Sequence, residues 1–391
     1  MTHSIKFLDL QARLEQRLES GLYRSRRTLD GAQQACCYVD GKALINFSSN
    51  DYLGLANSCE ARVALTNAAA IYGYGSGASH LISGHQRPHE TLEKNLAEFV
   101  ERDAAVTFST GYMANLAILQ TLAGKGDVII ADKLNHASLI DGARLSQADS
   151  LRYPHCDLNA LENRLKKAPQ NKFVVTDSVF SMDGDIAPLD VIAELCDKYQ
   201  AILIVDDAHG FGVLGKQGRG CGEYFGLNQK QLPVLMSTLG KSLGGFGAFI
   251  SGEQQLVDYL IQFARSYIYT TAMPAVNAAA NLANLQVMSQ SSERINQLRQ
   301  NIEYFRHQCA LTKLKLENST TAIQPLLIGE NQRLMAINEI LLSHGLLVGA
   351  IRPPTVPQNS ARLRITITAT HTAEQIDLLI KTLNTALEKI E

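Results

Sequence analysis

Apolar side chains change their spacing twice along this chain. Residues 7–27, "FLDLQARLEQRLESGLYRSRR", repeat them at helical intervals and end in a basic, Gly-containing stretch, which predicts an amphipathic helix. In "CCYVDGKALINFSSNDY" the Asp40-Gly41 pair predicts a hairpin turn. From about residue 85 the helix-like segments "HETLEKNLAEFVER", "YMANLAILQTLA" and "LDVIAELCDKYQ" alternate with short, nearly unbroken apolar runs. The runs are "AAVTF" (104–108), "DVIIA" (127–131), "KFVVT" (172–176), "ILIVD" (202–206), "PVLMST" (233–238) and "FGAFI" (246–250). Runs this short and this apolar suit strands buried on both faces, so the expected core is a mostly parallel sheet with helices on both faces. The last third differs. Two amphipathic helices, "SERINQLRQNIEYFRHQCA" and "AEQIDLLIKTLNTALEKIE", surround "ARLRITITA" (361–369), which alternates like a half-exposed antiparallel strand. The expected organisation is an N-terminal helix-and-hairpin arm (1–50), a large α/β domain (51–289) and a smaller C-terminal α+β domain (290–391).

Composition narrows the partners. The 391 residues hold 36 Lys plus Arg against 38 Asp plus Glu, a net charge of −2, so there is no electrostatic footprint for nucleic acid or an anionic membrane. No apolar run approaches membrane-spanning length, and the N-terminus has no apolar signal core. Seven scattered cysteines with no CxxC argue for reduced thiols and a cytoplasmic protein acting on small molecules.

Ligands of open α/β sheets bind beyond the carboxyl ends of the strands. Five successive runs deliver polar groups there: Ser109-Thr110-Gly111-Tyr112, "DKLNH" ending at His136, "DSVFSMDGD", "DAHG" after Asp206, and "LGKS" with Lys241. Each group has an ordinary reading beside a chemical one. Thr110 before a helix is either an N-cap or the start of a phosphate-binding helix end through Gly111 and Tyr112. His136 is a hydrogen-bonded loop histidine or a catalyst. Asp206 and Asp207 cap a helix, or supply a buried carboxylate that needs a cation. Lys241, among glycines, marks a surface turn, a phosphate loop or a covalent site.

Some motifs fail. The P-loop pattern ahead of Gly240-Lys241-Ser242 needs a glycine where Leu235 stands. "DGD" at 183–185 lacks the remaining EF-hand ligands. His85 and His89 have Pro88 between them, which breaks a shared helix face, and "GYGSGASHLISG" (73–84) reads as a loop with positive-φ positions. The surviving set, a loop lysine, an acid after a central strand, His209 three residues on and a phosphate-ready helix start, suits pyridoxal 5′-phosphate, which needs a Schiff-base lysine and an acidic partner for its ring nitrogen.

Five stretches, "NFSSNDYLGL", "TDSVFSMDGDIAPL", "VDDAHGFGVLGKQGRG", "STLGKSLGGFGA" and "IRPPTVP…ARLRITITATH", together resemble the α-oxoamine synthases, which are fold-type I pyridoxal-phosphate transferases. The resemblance runs from "GLYR" to the end of the chain. It implies that Lys241 carries the cofactor, Asp206 pairs with the ring nitrogen, His209 bonds the phenolic oxygen and His136 stacks on the ring. Gly111, Tyr112, Ser181 and Thr238 would contact the cofactor, largely at its phosphate. Arg352 would bind the amino-acid carboxylate, Arg24 and Thr355 the substrates, and Asn50 would lie near the reacting centre. "GSGASHLISG" and "AIRPPTVP" resemble the branch that condenses L-alanine with a pimeloyl thioester, as pimeloyl-CoA or pimeloyl-acyl-carrier protein, in biotin biosynthesis. Alternatives are a glycine-using sister such as 2-amino-3-oxobutyrate CoA ligase, or a non-catalytic pyridoxal-phosphate-binding or structural α/β protein. The resemblance also implies a homodimer with a shared site, where Thr270 and Thr271 reach the partner's phosphate. Ser242 and Ala78 depart from common family residues without removing a functional group.

Overall fold

The computed structural model describes residues 9–169, 171–290, 292–312 and 314–390. The predicted N-terminal helix is shorter than expected, spanning Leu10–Glu19; Phe7 and Leu8 lie outside the described residues. Asp9 caps it by accepting the Ala12 amide, and the chain leaves the helix at Gly21 with φ 64°, a conformation that suits glycine. None of its residues is buried.

Three strands follow: β1 (Leu29–Asp30), β2 (Cys36–Val39) and β3 (Lys42–Phe47). The β2–β3 hairpin turns at Asp40 (φ 49°) and Gly41 (φ 76°), both left-handed as a two-residue hairpin of this type requires. The apolar runs then become β4 (Ala104–Phe108), β5 (Val128–Asp132), β7 (Lys172–Asp177), β8 (Ile202–Asp206), β9 (Val234–Thr238) and β10 (Ala248–Gly252). Between β5 and β7 lies β6 (Asp149–Tyr153), which exposes four of its five residues at the sheet edge. Its polar sequence gave no apolar run to detect.

These seven strands form one sheet in the order β4-β10-β9-β8-β7-β5-β6. It is parallel from β9 to β6, while β10 runs antiparallel between β4 and β9, so the carboxyl ends of β4, β5, β7, β8 and β9 share one rim. Helices on both sides bury the sheet. Gly111–Leu122 and Ala137–Leu145 cover one face; Leu189–Lys198 and the pair Arg87–Phe99 and Ala275–Gln290 help cover the other.

A second sheet is built from β11 (Ile323–Gly329), β12 (Leu346–Ile351) and β13 (Ala361–Thr366), with β3 running parallel to β12; its order is β1-β2-β3-β12-β13-β11. The hairpin arm is therefore part of the C-terminal sheet. One expectation is corrected here. The 361–366 strand is antiparallel but not half-exposed: all six residues are buried. Arg362 pairs with Asp183, and Arg364 donates to the Ser181 carbonyl, so the charged face of the alternation packs on the 181–183 turn instead of facing water. The 73–84 stretch has Gly73 and Gly77 at positive φ, yet His80–Gly84 closes a π-helical turn. No described helix is long and apolar enough to cross a membrane.

Candidate active site

The shared rim of the large sheet collects most of the residues singled out above. Lys241 leaves the β9–β10 connection and places Nζ 2.8 Å from His209 Nε2. His209 is buried, and its Nδ1 lies 2.6 Å from the Tyr52 hydroxyl, which itself donates to Asn50 Oδ1 at 3.2 Å. That order sets the proton positions. Tyr52 spends its proton on Asn50 and accepts from His209 Nδ1–H, which leaves Nε2 bare to accept from Lys241. Burial holds the Lys241 pKa down, to about 8; Asp206 opposes this and Arg364 adds to it. Burial, together with Lys241 and Arg364, pushes His209 well below the ordinary histidine range, keeping its imidazole neutral.

Asp206 closes β8 and is almost fully buried. Its Oδ2 accepts from Asn115 Nδ2 at 2.7 Å and its Oδ1 from the Ala208 amide at 3.0 Å. Asn115 also donates to Ser138, so a polar line crosses from the Gly111–Leu122 helix to the start of the next one. His136 begins that second helix: its Nδ1 accepts the Ser138 amide, and its own amide donates to Asp177 Oδ2 at 2.8 Å. Its pKa is lowered by burial, with Asp206 opposing. Asp177 sits opposite Asp206 in the β7–β8 register; burial and that neighbouring carboxylate push its pKa well above the usual range.

Thr110 does cap its helix, accepting the Met113 amide at 3.2 Å. The cap leaves the first helical amides, on Gly111 and Tyr112, pointing outward as helix starts do. The two readings of this segment are therefore compatible. Tyr112 donates to Asp141 and stands edge-on to His136, with ring centroids 6.4 Å apart. Thr238 donates to the Gly247 carbonyl at 3.0 Å, and the Ser181 carbonyl receives Arg364 Nε at 2.6 Å.

A different set stays apart. Arg24 Nη2 lies 3.5 Å from Thr355 Oγ1, and Arg352 donates to the Gly21 carbonyl. These three line a small cavity of about 90 Å3 on the second sheet and have no hydrogen bond to the Lys241 cluster. The cavity that contains Lys241 is larger, about 580 Å3, and is bordered by Asn50, Ser48, Asp51 and Arg27. A third, of about 770 Å3 beside Leu298 and Tyr224, touches none of the predicted site residues.

Sequence reasoning missed three contributors. Arg364, 7% exposed, holds Asn50 Oδ1 through both terminal nitrogens at 3.2 Å. Its signal was hidden by reading 361–369 as half-exposed. Tyr52 and Asn115 lay inside a quoted motif and inside an apolar helix, where neither position looked chemical.

The donor set fits pyridoxal phosphate on its own terms. An amine of lowered pKa and a buried carboxylate that interact electrostatically share the sheet rim, a helix presents free amides there, and Asn115 Oδ1 is buried without a protein partner. The chain belongs to the aminotransferase class I and II family, whose pattern matches residues 42–383. Within that class it falls in the family of the 8-amino-7-oxononanoate synthases. It is 50% identical to the Marinobacter nauticus 8-amino-7-oxononanoate synthase over 375 residues, covering 96% of this chain and 95% of that protein. It is 49% identical to the Thioalkalivibrio sulfidiphilus one, covering 98% of each. Among solved structures, a Sphingomonas wittichii serine palmitoyltransferase superposes with a TM-score of 0.93 at 30% identity, over 100% of this chain and 99% of that one. An 8-amino-7-oxononanoate synthase from Francisella tularensis gives 0.78 at 34%, over 88% and 98%.

Proposed function

We propose that this chain catalyses the decarboxylative condensation of L-alanine with a pimeloyl thioester, yielding 8-amino-7-oxononanoate, CO2 and the free thiol carrier for biotin synthesis. The observation that carries the reading is the Lys241–His209–Tyr52–Asn50 chain beside buried Asp206 at the sheet rim, in a chain about half identical to synthases of that name. The cofactor is pyridoxal 5′-phosphate. Held at rest by Lys241 Nζ, and by the amino acid's own amine during the reaction, it would supply an electron sink for negative charge at the amino acid's α-carbon.

The side chains do the remainder. Lys241 Nζ, with its lowered pKa and His209 Nε2 as an acceptor, takes the α-proton and returns one after CO2 leaves. Asp206, oriented by Asn115 and the Ala208 amide, would keep the proton on the ring nitrogen. His136 would pack against the ring, and Gly111, Tyr112, Ser181 and Thr238 would hold the phosphate. Asn50, fixed by Arg364 and Tyr52, lies next to the reacting carbon. Arg352 serves as the guanidinium for the amino-acid carboxylate, and Arg24 and Thr355, which share its cavity, serve the acyl substrate. The working form is a homodimer. Thr270 and Thr271 lie beside exposed Tyr269, and the Ala272–Ala78 hydrogen bond ties this segment to the loop carrying exposed Tyr74 and Ile82, an apolar surface suited to a second copy.

The test is thiol release by the purified holoenzyme with L-alanine, glycine and L-serine, each against pimeloyl-CoA and pimeloyl-acyl-carrier protein. Turnover should require L-alanine with a pimeloyl thioester. Release confined to glycine would replace the substrate assignment, and no release with any pair would remove the synthase reading.

A further inference from the structure

The β5 and β6 ends and the turn after β7 assemble a second set of ligand-type side chains, outside the cavity that contains Lys241. Asp132, 1% exposed, closes β5; its Oδ2 accepts the Cys156 amide at 2.9 Å and its Oδ1 the Leu134 amide at 2.8 Å. The His155 ring stands between two carboxylates, Nδ1 3.0 Å from Asp132 Oδ1 and Nε2 2.7 Å from Asp185 Oδ2. Cys156 has φ 52°, a conformation uncommon for a residue with a side chain, and its Sγ lies 3.8 Å from both ring nitrogens. Asp185 Oδ1 is buried and lacks a hydrogen-bond partner. One ligand atom each from Asp132, His155 and Cys156 lies within 4.8 Å of the others.

We propose that Asp132, His155 and Cys156 form a binding site for a thiophilic divalent cation of the zinc class, with Asp185 as the carboxylate that orients His155. Bonds of about 2.0–2.3 Å to O, N and S require the trio to close, with the Cys156 side chain turning from its place equidistant from both ring nitrogens toward Nδ1, and three protein ligands leave a fourth position open. A hard cation such as magnesium or calcium suits oxygen cages and not a thiolate–imidazole pair. The Nε2–Asp185 bond supplies the outer carboxylate that commonly fixes a metal-bound histidine. Charge balances as well. The dication replaces the proton on His155 Nδ1 and the thiol proton of Cys156, both released to solvent, so the four side chains and the ion together carry the formal charge that the side chains carried before. His155 and Asp185 are 27% and 29% exposed along their side chains, which gives the ion a path in. The β5 carboxylate precedes the loop that carries His136, and Asp185 follows the turn that carries Ser181, so a bound ion ties together two loops of the active site.

The rival occupant of this geometry is a proton: His155 as an imidazolium clamped by two carboxylates, with no metal affinity. Cadmium titration of chelator-treated holoenzyme, followed by competition with zinc, separates the two. We expect one equivalent per chain with a thiolate-to-cadmium ultraviolet band. Cys156→Asn keeps a residue tolerant of the left-handed conformation and should abolish that band. Asp185→Asn should keep the band and weaken binding by about 10–100-fold. The same band and affinity in Cys156→Asn would place the metal on exposed Cys36 or Cys59 and overturn the proposal, as would the absence of a saturable band in the parent. If Cys156→Asn does not fold, unchanged affinity in Asp185→Asn overturns it equally.

Discussion

The two groups of predicted site residues are held in opposite ways. At the rim of the large sheet, Lys241, His209, Asp206 and His136 are fixed by hydrogen bonds of 2.6–3.3 Å, buried at His209 and Asp206, before any ligand arrives. On the second sheet, Arg24 is exposed, its contact to Thr355 is 3.5 Å, and Arg352 is engaged with a backbone carbonyl. The rim is preorganised for proton transfer; the arginine group can re-aim toward a substrate. Preorganised groups act at the moment of charge development without reorganising, so chemistry should depend on the first region and binding on the second.

Substitutions sharpen this contrast. Lys241→Ala should have the largest effect, at least the 10²–10⁴-fold typical of losing a positioned proton-transfer group, roughly, together with loss of cofactor attachment. Thiol release with L-alanine measures it; multiple turnovers by that variant would contradict the role of the amine. Arg364→Lys removes the fork that holds Asn50 and the Ser181 carbonyl. Charged hydrogen bonds are worth about 1.5–3 kcal/mol, so kcat/KM for alanine should fall roughly 10–150-fold. An unchanged kcat/KM would make Arg364 a purely structural partner of the 181–183 turn.

The pH dependence follows from Lys241. Its folded-state pKa is depressed from 10.5 to about 8, so below that value the ammonium dominates and cannot attack an aldehyde. Uptake of pyridoxal phosphate by the apoprotein should rise about tenfold per pH unit up to about 8 and then level off. Stopped-flow absorbance at several pH values checks this, and a rise continuing toward 10 would mean an unperturbed lysine. Tyr52→Phe deletes one neutral hydroxyl from the chain, a loss of about 0.5–1.5 kcal/mol and roughly a 2–10-fold fall in kcat. Arg24→Ala should have the smallest effect on the fold, within about 0.5 kcal/mol by denaturant midpoint. KM for the thioester should rise while kcat holds; a fall in kcat alone would erase the distinction between the two regions.

Legibility in sequence followed burial. Central strands between two helix layers must be continuously apolar, so β4, β5, β7, β8, β9 and β10 could be read with small shifts at their ends, and the polar residues beyond them marked the rim. Edge strand β6 could not, because "DSLRY" faces water along most of its length. In β13 the alternation of apolar and charged residues pointed to a solvent face. Its arginines instead meet Asp183, Asn50 and the Ser181 carbonyl across a tertiary contact that local pattern does not encode. Asn115 was hidden for a similar reason, since an amide in a helix of Ala, Leu and Ile shows its purpose only when Asp206 is placed beside it. Lys241 stood out because glycines surround it and the failed P-loop pattern left few other uses for it, and the structure brings its Nζ to His209.

The central proposal is that Lys241 holds the cofactor at this rim. Borohydride reduction of the cofactor-loaded protein, followed by peptide mass analysis, tests that directly. A stable phosphopyridoxyl label on Lys241 alone, in stoichiometric yield, is the expected result. A label on another lysine, or active enzyme that reduction leaves unlabelled, would contradict it.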